Sequence, residues 1–184
     1  MVRVVHRDHV SWRPVNVECL GGVVSESLMV QEYIHTGPWP VSYRVGTVFG
    51  EPIYAVRITA AKSRRPIEYD GRPTKQTFEG RTIVAASRGC TMDTNLPKRI
   101  IEFAERIHRA FPTIPLLGSD IVEEVGTGIL YALEVNAIGW TFHLTSPRRE
   151  RIKREFGIDL CEQFGGAEAV ARGLIRRLGM MESN

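Results

Sequence analysis

The 184-residue chain has no run of about 18 apolar residues, so no membrane-spanning helix is expected. Its three cysteines, Cys19, Cys90 and Cys161, are odd in number and far apart. That excludes a disulfide framework, and the absence of a CxxC pair removes the usual zinc signature. Neither a GxxxxGK[ST] loop nor a GxGxxG turn occurs, so the P-loop and Rossmann routes to phosphate are absent. Residues 1–7 lack the apolar core of a signal peptide, and a cytoplasmic location with reduced thiols is the expectation. The net charge of +3 and pI of about 8.9 make no case for nucleic acid. The basic run Arg148, Arg149, Arg151, Lys153 and Arg154 has no interleaved aromatics and reads as a solvated helix face, so nucleic-acid contact is not expected. What is present is an apolar fraction of 43% with 24% charged residues, enough for one packed domain or a little more.

The patterning places strands first and helices later. Residues 2–5 and 28–34 are strand-like, and residues 35–40 break the second run with two prolines. Residues 41–49 and 52–59 read as a hairpin across Gly50-Glu51, with glycine opening a type II′ turn. Residues 62–80 are charged and carry Pro66, Gly71 and Pro73, which reads as a surface loop, and residues 81–86 read as another strand. Asp93, Thr94, Asn95 and Pro97 mark a helix start, and Ile100, Ile101, Ala104 and Ile107 form one stripe on a helix ending near Ala110. Strands at 119–125 and 129–135, a basic helix at 147–156 and a last helix at 167–178 complete an α+β pattern with an antiparallel sheet.

Chemistry concentrates on the strand pair. With Gly126-Thr127-Gly128 as the loop, Val125 pairs with Ile129 and Asp120 with Glu134, whose Cβ atoms then lie about 5 Å apart. Asn136, two residues on, points to the same face. Two carboxylates and a carboxamide with no Lys or Arg among them suit a hard divalent cation, Mg²⁺ or Mn²⁺; a solvated polar edge is the alternative. A two-residue Gly50-Glu51 loop sets Arg44 opposite Arg57, and Gly46 opposite Ala55 with room for a ligand beside them. Opposed arginines suit a phosphate or carboxylate between them; two solvated or acid-paired arginines are the alternative. In the loop after Asn136, His143 is a candidate contact to an anionic or acyl group, with a structural hydrogen-bonding role as its alternative.

The set Asp120…Glu134-Val135-Asn136 resembles the magnesium triad of the ATP-grasp superfamily. Residues 30–34, Val30-Gln31-Glu32-Tyr33-Ile34, are similar to its adenine hinge strand, and Tyr43-Arg44-Val45 with Arg57 to its phosphate-side arginines. The resemblance covers residues 28–145 and is nearest in flavour to glutathione-synthetase-like and ribosomal-protein glutamate ligases. It implies the C-terminal half of an ATP-grasp domain. Residues 1–34 would be the remnant of the small subdomain ending in the hinge, 35–146 the large subdomain with the Mg-ATP site, and 147–184 a C-terminal helical extension. By this resemblance Asp120, Glu134 and Asn136 hold Mg²⁺ or Mn²⁺, and Arg57 and Arg44 stabilise the transferring phosphoryl group. Gln31, Glu32, Tyr33 and Ile34 present backbone to the adenine, Glu32 or Ser42 reaches the ribose, and Asn136 and Arg57 also touch the nucleotide. The implied reaction takes ATP, a carboxylate and an amine or thiol acceptor through an acylphosphate. The family's nucleotide-binding lysine and glycine-rich loop have no counterpart here, which implies a front half upstream of Met1 or on another polypeptide. A homodimer or a complementing N-terminal half is the expected partner. The alternative function is a non-catalytic nucleotide-binding or scaffold module.

Overall fold

The structure is a computed structural model that describes residues 31–62, 90–137 and 142–182, with side chains through residue 179. Among these residues the order is β1 (Val41–Val48), β2 (Glu51–Thr59), β3 (Thr91–Asp93), α1 (Lys98–Arg109), β4 (Leu116–Glu123), β5 (Leu130–Asn136), α2 (Pro147–Phe156) and α3 (Ala167–Glu182). The strands form one antiparallel sheet in the order β3-β2-β1-β4-β5, so the fold is α+β. None of the described helices is long and apolar enough to cross a membrane. The strands expected at residues 2–5 and 81–86, the front of the 28–34 strand, nearly all of the 62–80 loop and Cys19 lie outside the described residues. Gln31, Glu32, Tyr33 and Ile34 are described and are not in a strand. They run as irregular chain to His35, whose carbonyl accepts the amide of Val125 at 2.8 Å, so the segment is moored to the β4–β5 turn rather than to a ladder.

Helix α1 packs on one sheet face. Ile100 and Ala104 are buried against Tyr43, Val45, Ala55 and Ile121, with Ile101 and Ile107 at the margin, which is the expected stripe at work. His108 extends it: its Nδ1 pairs with the Thr47 hydroxyl at 2.6 Å and its Nε2 with the Ile114 carbonyl at 2.9 Å, so this polar member of the stripe is satisfied in the core. On the opposite face Val48, Ile53, Tyr54 and Val56 pack with Leu144, Ile152 of α2, Leu160 and Ala169 of α3. Helix α3 is pinned by charge, since Arg172 and Arg176 both donate to the buried Glu51 carboxylate, at 2.8 and 2.7 Å.

The β1–β2 hairpin departs from its expected register. Its loop is Phe49-Gly50, not Gly50-Glu51, and both residues have positive φ, 46° and 86°. That is the sign pattern of a type I′ turn, which matches strand twist as a II′ turn does but starts one residue earlier. Val48 then pairs with Glu51, and a bulge between Gly46 and Thr47 in the register accommodates Ile53. The result shifts the ladder by one residue from the expected pairing. Arg44 faces Val56, and Arg57 faces Tyr43.

Candidate metal and phosphate face

One sheet face gathers the candidate ligands. Asp120 pairs with Glu134 and Gly118 with Asn136, so the two carboxylates and the carboxamide share a face, as the spacing suggested. The route to that register differs from the expected one. The ladder closes at Glu123 and Leu130, and a bulge at Leu133 then restores the Asp120–Glu134 pair. Gly126 and Gly128, at φ 97° and 70°, let the turn fold back so that Gly128 donates its amide to the Glu124 carbonyl at 2.9 Å.

The cation nearest Asp120 is Arg44. It sits directly across the β1–β4 ladder from Asp120, and its Nε donates to Oδ1 at 2.6 Å while Nη2 donates to Oδ2. The expectation of an acidic face without Lys or Arg is therefore corrected: the arginine comes from a strand 76 residues away in sequence, outside any local pattern. Burial works against the Arg44 charge. The hydrogen bonds and charge of Asp120, with help from Tyr54 and Glu134, outweigh it and hold the guanidinium above its ordinary range.

The expected Arg44–Arg57 opposition is corrected as well. Residues on adjacent positions of a strand point to opposite faces, so the one-residue shift in β2 sends Arg57 to the α1 side of the sheet. There it lies 3.7 Å from Asp93 of β3 and within the field of Tyr43. The space expected beside Gly46 is also filled. Gly46 pairs with Tyr54, and a Cβ built on Gly46 would meet the Tyr54 ring at 2.2 Å. Ser42 shares the Arg44 face two residues earlier.

Tyr54 leads to His143, a candidate contact in the sequence, and to Arg148, which the sequence places on a solvated helix face. Its ring centroid is 5.2 Å from that of His143, which is 2% exposed. The Nδ1 of His143 lies 3.5 Å from the Ser146 hydroxyl, and its Nε2 is buried with no hydrogen-bond partner among the described residues. Burial first, then the guanidiniums of Arg148 and Arg44, push the His143 pKa down to about 4, so the ring is neutral at physiological pH. Arg148, one residue past Pro147 at the start of α2, is held below its usual range by its surroundings and by Arg44. The sequence carries a signal for Arg148 after all. Ser146-Pro147 fixes a helix start, and a cation in the first turn opposes the helix dipole; Arg149 shares that turn but is paired with Asp159. Arg149 and Lys153 behave as expected of a structural face, both donating to Asp159. Residues 138–141 of the intervening loop lie outside the described residues.

At the other end of the face, Glu32 contributes with Glu124 to raising the Tyr131 hydroxyl, after burial. Tyr131 pairs with Val122, two residues beyond Asp120, and so lies on the same face of the sheet. The residues present suit a hard cation in chemistry: two carboxylates and one carboxamide, held side by side. Among the described residues no cluster of three His, Cys, Asp or Glu exists, so water or phosphate oxygens would have to complete any coordination shell.

No family model matches the sequence, and no curated protein does. The chain is similar to ATP-grasp ligases. The ligase PsnB complexed with a minimal precursor shares 19% identity at a TM-score of 0.43, over 80% of this chain and 36% of that one. PsnB with a phosphomimetic variant of that precursor, Mg and ADP gives 19% and 0.42. A D-alanine–D-alanine ligase from Bacillus anthracis gives 15% identity and a TM-score of 0.41, over 77% of this chain and 42% of that one. The chain thus spans less than half the length of the ligases it resembles.

Proposed function

We propose that this chain supplies the metal side of the Mg-nucleotide site of an ATP-dependent carboxylate–amine or carboxylate–thiol ligase. The observation that carries the reading is the register that sets Asp120 against Glu134 and Asn136 against Gly118, with Arg44 on the adjoining strand. In this reading Asp120, Glu134 and Asn136 hold Mg²⁺ or Mn²⁺, which would neutralise phosphate charge when bound. Arg44 is the fork that meets the transferring phosphoryl group. Gln31, Glu32, Tyr33 and Ile34 present irregular chain to the base. Arg57 stands across the sheet against Asp93, and we give it no part on this face. The reaction is attack of a substrate carboxylate oxygen on the γ-phosphorus, with ADP leaving. An amine or thiol then attacks the acyl carbon, expels phosphate and loses its proton to solvent.

The Arg44–Asp120 ion pair favours a second reading: a non-catalytic module in which the arginine is the permanent counter-ion and no metal binds. Mn²⁺ binding in the presence of ADP, followed by electron paramagnetic resonance, separates the two. The wild-type chain is expected to immobilise Mn²⁺, and Asp120→Asn with Glu134→Gln to lose it by about tenfold or more, as expected for two lost carboxylate ligands. Equal binding by both proteins, or none by either, overturns the metal-site reading.

A further inference from the structure

Arg44 stands between groups of opposite sign. Its fork is committed to both oxygens of Asp120, yet its charge also bears on Arg148 and His143. Arg148 has no acid within ion-pair distance among the described residues, and it stands in the first turn of α2, where the helix dipole adds positive potential. Asp120 already neutralises Arg44 and also bears on Arg148, so the excess positive charge here is that of Arg148 alone. His143 supplies an independent pointer. Its Nε2 is buried with no hydrogen-bond partner among the described residues, and in the tautomer that carries the ring proton there it is a donor without an acceptor. Buried donors are nearly always satisfied, and an exception calls for a missing acceptor. The Tyr54 ring packs against the imidazole and fixes its plane.

We propose that Arg148, Arg44 and His143 Nε2 form an anion subsite for a carboxylate or phosphoryl group, and that Asp120 governs it by holding or releasing Arg44. With Asp120 bound to Arg44, only Arg148 and His143 face the anion. A divalent cation that takes Asp120 frees the Arg44 fork to turn to the anion, so cation and anion strengthen each other's binding equally. The coupling rests on the metal role proposed for Asp120, Glu134 and Asn136, whereas the subsite itself does not.

The test is titration of the full chain with inorganic phosphate and, separately, acetate, followed by calorimetry and by the imidazole ¹⁵N signals of His143. Both probes are oxyanions, and tighter binding of phosphate than of acetate assigns the subsite to a phosphoryl group, the reverse to a substrate carboxylate. Binding of the preferred probe is expected to weaken about tenfold in Arg148→Gln, the usual worth of one charge-assisted hydrogen-bond partner. Asp120→Asn, which frees Arg44 without any metal, is expected to tighten binding several-fold. Mg²⁺ is expected to tighten it in the wild type and not in Asp120→Asn. Unchanged binding in Arg148→Gln, or unmoved His143 signals at saturation, overturns the subsite. Tightening in Asp120→Asn with no Mg²⁺ effect in the wild type supports the subsite and overturns the metal reading alone. If Asp120→Asn fails to fold by circular dichroism, Arg44→Gln replaces it: it must abolish the Mg²⁺ effect while keeping the metal-free affinity, and retention of the Mg²⁺ effect overturns the coupling.

Discussion

Substituting Gly46 by alanine tests the packing on which the candidate face rests. Gly46 lies in the middle of β1, opposite Gly118 of β4 on one side and Tyr54 of β2 on the other. A Cβ at Gly46 would stand 2.2, 2.6 and 2.8 Å from three atoms of the Tyr54 ring, where ordinary contact begins at 3.4 Å. The ring would have to retreat by about 1 Å, yet Tyr54 is 0% exposed and enclosed by Val48, Ile53, Val56, Leu144 and Leu160. Overpacking of this kind costs about 1–3 kcal/mol, and the stiffer unfolded chain returns only about 0.4–1 kcal/mol. A net loss of about 1 kcal/mol is expected, which for a chain of this size lowers the melting temperature by roughly 2–4 °C. Urea unfolding followed by circular dichroism measures it. The decisive comparison is Gly46→Ala placed in a Tyr54→Ala background. With the ring gone the alanine should cost nothing, so the two substitutions should be strongly non-additive. An unchanged urea midpoint for Gly46→Ala, or an equal cost with and without the ring, refutes the close approach.

Two further outcomes follow from buried polar groups. His143 binds a proton near pH 6.5 when unfolded and only near pH 4 in the fold, so protonation favours the unfolded chain between those values. Its contribution is fully present above about pH 6.5 and declines by ~3 kcal/mol as pH falls through the window to about 4; His108, lowered by burial, acts with the same sign. Urea midpoints against pH should show this slope, and His143→Gln should flatten it; an identical slope in the variant would show that His143 is not its source. Gln163 imitates a strand, accepting the Ala55 amide at 2.9 Å and donating to the Ala55 carbonyl at 2.8 Å. Gln163→Ala strips both partners from a buried backbone and should cost about 2–4 kcal/mol. Amide exchange at Ala55 should accelerate correspondingly, and unchanged protection there would contradict the hydrogen bonds.

Much of this molecule is local and was legible. The spacing of Ile100, Ile101, Ala104 and Ile107 names the face of α1 that is buried, because a 3.6-residue period has one solution against a flat sheet. Pro147 in the first turn and Gly157 at φ 70° bound α2 by local backbone preferences that operate within a few residues. The Asp120–Glu134 pair was reached by turn arithmetic whose one-residue error at the loop was cancelled by the bulge at Leu133. At the β1–β2 hairpin the same arithmetic met no such cancellation. Phe49 adopts the left-handed conformation that glycine more readily takes, the turn moves back one residue, and Arg57 passes to the other side of the sheet.

The sequence by itself did not reveal β3, and it favoured a strand over residues 31–34, which are irregular. It determined β1, β2, β4, β5 and the helices α1, α2 and α3, and that two carboxylates and a carboxamide share one face of the β4–β5 pair. Those properties depend on periods of 2 and 3.6 residues and on turns, all written within a short window of chain. Only the tertiary structure decided what stands beside that face: Arg44 on Asp120 across the β1–β4 ladder, Tyr54 over Gly46, and His143 with Arg148 delivered by α2. Those neighbours are chosen by strand order, by bulges and by the packing of helices on the sheet. A period-2 strand can satisfy its own pattern in either of two registers, and the contacts that select one lie far away in the chain.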